Sequence, residues 1–146
     1  MIKGRMVSKK KFKAVIDNVR LQFNHKAEKA VQLSTLAVHA ETIKLIRARS
    51  AGERMIRYSP KRTVTVSKPG EPPNSDTGRL IQSMKFEFEG LKGFVGSNLR
   101  YAAHLEFGTE TMEPRPFLST AVKNSEKRIQ QIFTKELNKA VKESSK

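Results

Sequence analysis

Residues 101–118, YAAHLEFGTETMEPRPFL, constrain the fold of this chain more than any other stretch. An apolar patch (Tyr101, Ala102, Ala103, Leu105, Phe107) runs into Gly108, a polar loop follows, and Pro114-Arg115-Pro116-Phe117 leads onward. Tyr101 and Leu105 lie one turn apart, which predicts a short helix over 100–107 with Gly108 as its stop. Proline has a preset φ and no N–H to lose at a first helical position, so Pro116 marks the start of a terminal helix. A sheet, a short helix and a long helix must meet here in one geometry.

The apolar stripe of that terminal helix is Phe117, Leu118, Ala121, Val122, Ser125, Ile129, Ile132, Phe133, Leu137, Ala140 and Val141, with residues 143–146 as a frayed tail. Just upstream, Lys85 to Glu89 alternates strictly, with Phe86 and Phe88 on one face and Glu87 and Glu89 on the other. Residues 90–93 reverse the chain and Phe94-Val95-Gly96 returns, so 85–97 reads as an antiparallel hairpin. Such a hairpin is marginal in water unless helices cover its apolar face.

Toward the N-terminus, residues 1–6 suggest a short strand and Ser8 an N-cap. Phe12, Val15, Ile16, Val19 and Phe23 share one helical face. Asn24-His25 suggests a break before a second helix over 26–49, whose stripe (Ala27, Ala30, Val31, Ser34, Ala37, Val38, Glu41, Leu45) is rich in small residues that permit close helix contact. Glu53 to Tyr58 reads as a further helical turn before Pro60. Residues 61–68 alternate like an exposed strand and 69–76, PGEPPNSD, form a connector, so that 61–76 is expected as an exposed loop region. Asp76 or Thr77 is placed to cap a short helix carrying Leu80, Ile81 and Met84. The expected fold is a single α+β domain over 1–146: long N-terminal helices and a long C-terminal helix packed on a small antiparallel sheet.

The apolar content is 37%, low for a soluble domain, so the core is thin and subunit contacts are expected to cover what remains exposed. The net charge of +15 is uneven. Residues 1–29 carry nine Lys/Arg against Asp17 and Glu28, and residues 44–68 carry eight against Glu53. Residues 69–122 hold five basic and seven acidic groups. Basic ends around a near-neutral centre suit contact with nucleic acid or with acidic protein surfaces. The chain has no Cys, hence no thiolate chemistry, and no apolar run near the roughly 18–20 residues of a membrane span.

His25, His39 and His104 have no metal-ligand spacing. Ser83, Ser97 and Ser119 lack a nucleophile-elbow context. PGEPPNSDTG lacks the Gly-Lys-Ser/Thr of a phosphate loop, and Glu87 with Glu89 is the solvent side of a hairpin. No catalytic residue, metal or cofactor is expected. Gly78 and Gly108 are expected where a side chain would be strained. Arg115, held between two prolines, is expected to give a bidentate hydrogen bond to a carboxylate such as Glu106.

Two motifs in order carry a resemblance. Residues 67–84, SKPGEPPNSDTGRLIQSM, resemble the "pGePP…dTGrLr.Si" stretch of a tailed-bacteriophage family, and residues 101–118 resemble its "YA..vEfGT…prPFl" signature. The family is that of the head–tail joining proteins, also called neck or tail-completion proteins. The matching positions include Asp76, Thr77, Gly78, Leu80, Tyr101, Glu106, Phe107, Gly108, Thr109, Pro114, Arg115, Pro116 and Phe117, while His104 stands where an aromatic is common.

The resemblance implies a structural virion protein without enzymatic activity. It would form a homo-oligomeric ring of six or twelve subunits at the head–tail interface, assembled in the host bacterial cytoplasm. It would contact portal, adaptor or head-closure proteins on one side and tail-terminator or tail-tube proteins on the other. The ring would surround passing double-stranded DNA non-specifically, with no membrane involved. The alternative expected from charge alone is a sequence-independent nucleic-acid-binding protein. On the ring reading, Gly108→Val and Phe117→Ala are expected to harm assembly more than solubility.

Overall fold

The computed structural model describes residues 9–48, 50–58 and 60–144. The strand expected over 1–6, the Ser8 cap and the last two residues of the expected frayed tail lie outside them. The element order is α1 (Lys9–Arg47), β1 (Glu53–Tyr58), β2 (Lys61–Val66), α2 (Arg79–Ser83), β3 (Met84–Glu89), β4 (Lys92–Ser97), α3 (Arg100–Phe107) and α4 (Leu118–Ser144). The fold is α+β, with long helices at both ends. The strands form two separate antiparallel pairs, β1–β2 and β3–β4.

The two long helices run antiparallel. Lys26 Nζ meets Glu143 Oε1 at 2.8 Å at one end, and Asn124 Nδ2 donates to Glu41 Oε1 at 3.3 Å at the other. Their contact is built from small side chains: Ala30, Ser34, Ala37 and Thr42 of α1, and Ala121, Ser125 and Ala140 of α4, are all buried. Small residues let the axes approach closely, as the stripe of residues 27–45 suggested. The break expected at Asn24-His25 is absent, and α1 is one helix of 39 residues. Neither residue is Gly or Pro, and their helix propensity costs only a few tenths of a kcal/mol relative to Ala. Residues 10–25 therefore overhang the end of α4 by about 24 Å at 1.5 Å per residue. Phe12, Val15, Ile16 and Leu21 stand at least half exposed on that overhang.

The β3–β4 hairpin matches expectation, with Phe86 opposite Val95 and Glu89 opposite Lys92. It lies against α1. His39 meets the Phe86 ring edge-on at 4.9 Å between centroids, so this histidine packs. A Cβ on Gly93 would overlap the Thr35 hydroxyl, so the absence of a side chain there sets how closely hairpin and helix approach.

Two further expectations are corrected. Residues 53–58 are a strand, not a turn of helix, and residues 61–66 form the strand that their alternation suggests and pair with it, so the loop expected over 61–76 begins only after Val66. Arg54, Ile56 and Tyr58 alternate with Glu53, Met55 and Arg57, and Pro60 at the turn stops any helix. All six residues of β1 are exposed, and one face of β2 borders the cleft shared with Leu80, Tyr101 and Leu105. The remaining core is compact: Ile46, Leu80, Met84, Ala102 and Phe117, flanked by Ile81, Val95, Leu99, Leu105 and Leu118.

Candidate functional site

The two motif stretches come together at one corner, and the chain builds it from backbone groups. The first turn of α4 presents N–H donors with no partner inside the helix. Glu106, near the end of α3, supplies the acceptors. Its Oε2 accepts from Phe117 N at 2.8 Å and Leu118 N at 2.9 Å, and its Oε1 accepts from Ser119 N at 2.9 Å and Ser119 Oγ at 2.6 Å. The carboxylate thus caps α4 from another helix, where the positive end of the helix dipole favours a negative charge. Burial alone would raise its pKa. The Ser119 hydroxyl and the three backbone N–H groups outweigh burial and hold it below the usual carboxylate range.

This geometry corrects the expected Arg115–Glu106 pair. Glu106 has its acceptor positions filled by α4, and Arg115 turns away to donate from Nε to the Ser67 carbonyl at 3.1 Å. The Arg115 backbone N–H donates to Leu105 O at 2.6 Å, and Gly70 N–H donates to Pro114 O at 2.9 Å. Arg115 therefore ties the two motif stretches together through backbone carbonyls, not through a salt bridge.

Gly108 follows α3 with φ 76° and ψ −177°, a region that only glycine occupies readily. A Cβ there would also lie 2.8 Å from the Met112 carbonyl. Thr109 and Met112 then close a tight reversal through reciprocal backbone bonds of 2.8 and 3.3 Å. Pro116 O accepts from the Thr120 hydroxyl at 3.1 Å, and Phe117 is fully buried. Phe117 thus belongs to the core, where a truncation is expected to cost folding stability whatever it does to assembly.

In the other motif, Gly78 has φ 76° and starts α2, as expected of a position where a side chain is strained. The expected side-chain cap is not made. Asp76 instead accepts from Arg62 Nη2 at 2.8 Å and lies 3.5 Å from Arg57 Nε, and Thr77 Oγ1 reaches Arg79 N only at 3.5 Å. Leu80 enters the core. Asn74 carries no sequence signal of its role, since it stands among turn-forming residues. Its Oδ1 accepts from Ser50 N at 2.9 Å, and its Nδ2 donates to Ser50 O at 3.1 Å and Thr65 O at 3.0 Å, stapling the connector to β2 and the end of α1.

A cleft of about 490 Å³ opens beside this corner, lined by Arg57, Arg62, Asp76, Arg79, Tyr101 and Arg115 among others. Tyr101 is 41% exposed at its rim and Phe107 is 81% exposed beyond it. Among the described residues no group of three or more His, Cys, Asp or Glu is placed to hold a metal, and no helix is long and apolar enough to cross a membrane.

The site is a rigid corner with charged and aromatic groups exposed around it. No protein family, curated protein or solved structure compared with the chain matches it.

Proposed function

We propose that the chain is a structural virion subunit that assembles with copies of itself into a ring in the neck of a tailed bacteriophage. The ring would join the portal or head-completion assembly to the tail and surround the DNA channel. One observation carries this reading. The chain exposes 11486 Å², whereas a compact monomer of its mass exposes about 7,500 Å². The excess comes with apolar surface: the overhang of α1, both faces of β1, and Phe107. A stable contact takes about 800 Å² from each partner, so the excess is enough for neighbours on two sides. The motif resemblance supplies the setting, and the motif residues described above act as fold-setting groups, which suits a building block.

The test is the mass of the purified protein by light scattering, alone and with its neck partners, together with cryo-microscopy of neck particles. A ring is expected. A strictly monomeric protein in the presence of those partners refutes the proposal.

The charge of +15 favours a second reading, sequence-independent binding of nucleic acid. Tight DNA affinity that falls steeply with salt, in a protein that forms no ring, would favour it over the first.

A further inference from the structure

The corner carries a hole and a knob on different sides of α3. Tyr101 and Leu105, one turn apart, line the cleft of about 490 Å³, and Val64, Val66 and Leu80 add to its apolar wall. Phe107 is two residues past Leu105, so it projects about 200° further around the helix, off the cleft. It is 81% exposed, more than any other large apolar side chain among the described residues.

The cleft holds more cations than its own acceptors answer. Arg57, Arg62, Arg79 and Arg115 line it, with Asp76 as the one carboxylate among the described lining residues. Arg57 and Arg62 share a single oxygen, Asp76 Oδ2, at 3.5 and 2.8 Å. Arg115 Nε holds only the Ser67 carbonyl. No hydrogen bond or ion pair holds the Arg79 guanidinium among the described residues. A cleft with an apolar wall and a cationic rim suits an apolar side chain flanked by carboxylates.

The chain itself supplies such a segment. After Phe107, residues 108–113 contain Glu110 and Glu113, both exposed, and no Lys or Arg. His104 and Arg100 share the Phe107 face but stand about one and two turns back along α3. The other exposed aromatics fit less well. Phe12 lies between Lys11 and Lys13, Phe94 is two residues from Lys92, and Tyr58 follows Arg57 on the hairpin that walls the cleft. Phe88 has Glu87 and Glu89 beside it, but it is only 41% exposed and packs on Phe86 with ring centroids 5.7 Å apart.

We propose that Phe107 of one copy inserts into the cleft of the next, with Glu110 and Glu113 of the inserting copy set against the rim arginines. This rests on the self-assembly reading above and names its contact. Knob and cleft lie on different sides of one helix, so each copy gives one and receives one, a head-to-tail contact that repeats around a ring. A buried aromatic covers about 150–250 Å², so the knob anchors a contact of about 800 Å² per partner and does not make all of it.

Two variants separate knob from cleft. Phe107→Lys removes the ring and brings a like charge to the rim. Arg57→Glu with Arg79→Glu reverses two exposed cations of the cleft. All three positions are exposed, so both variants are expected to melt close to wild type. Alone, with the neck partners present, each is expected to give no ring in light scattering. Mixed, they are expected to give a one-to-one pair and nothing larger, because the intact knob of one meets the intact cleft of the other. A chain carrying photoreactive benzoylphenylalanine at position 107, mixed with isotope-labelled copies, is expected to cross-link to residues 62–67 or 73–80 of another copy. A full ring from either variant alone, a mixture that gives no pair, or cross-links elsewhere on the neighbour overturns the knob and leaves the ring standing. Cross-links to a neck partner alone overturn it in favour of a docking site for that partner. A wild-type chain that forms no ring with those partners overturns both.

Discussion

Glu106→Gln tests the corner most directly. The native carboxylate accepts four hydrogen bonds, two at each oxygen, from the first turn of α4. A glutamine keeps one acceptor oxygen, so in either orientation its NH₂ faces two donors. The change forfeits two bonds to a charged acceptor, each worth about 1.5–3 kcal/mol, and the interaction with the helix dipole. Water reaches Ser119 more readily than the buried Phe117 N–H, so the amide turns its NH₂ toward Ser119 and part of the loss is recovered. The net cost is about 2–4 kcal/mol. Unfolding entropy of about 2.1 cal/mol/K per residue implies a fall in Tm of about 3 °C per kcal/mol for a chain of this length, hence about 10 °C in all. The pH dependence sharpens the test. The folded pKa of Glu106 is depressed, so its contribution is fully present above the unfolded value of about 4.3 and is lost as pH falls through the folded value. Thermal unfolding followed by circular dichroism should show a wide gap between wild type and variant at pH 7 that closes in acid. Equal melting temperatures at pH 7, or a gap of constant size down to pH 3, would refute the capping argument.

Three other substitutions probe separate links. Gly108→Ala forces a side chain into a glycine-only backbone region and against the Met112 carbonyl, and should cost about 1–3 kcal/mol in urea unfolding. Gly93→Ala pushes the hairpin off α1, with a loss of about 1–3 kcal/mol, part of which Thr35→Ala should restore in the same assay. Phe117→Ala empties a fully buried site and should lower stability by about 3–5 kcal/mol, seen as a lower denaturation midpoint before any change in assembly.

What was legible in the sequence followed from periodicity. The alternation in β3 and the return in β4 pair as their spacing required, and the stripe of α4 is buried or half-buried except at Val122 and Val141. Gly78 and Gly108 were legible because a positive φ leaves few residue choices. The differences have two causes, a local cue too weak to break an element and a partner far away in sequence. Asn24-His25 looked like a break, but nothing chemical stops the helix and α1 continues. ERMIRY was read as helix although its strand partner lay just across the turn at residue 60. Arg115, held between two prolines, looks like a partner for Glu106, because a cap whose acceptor and donors stand 11–13 residues apart has no sequence signature. Asn74 escaped for the same reason, with its partner Ser50 24 residues away.

The overhang of α1 makes the helix a lever. It is held along α4 by small side chains, and residues 10–25 extend past that seam. A tilt of about 5° at that fulcrum swings its far end by about 2 Å, given the 1.5 Å rise per residue. A displacement too slight to disturb the alanine seam would therefore be amplified at the tip, enough to change which side chains of a neighbour it meets.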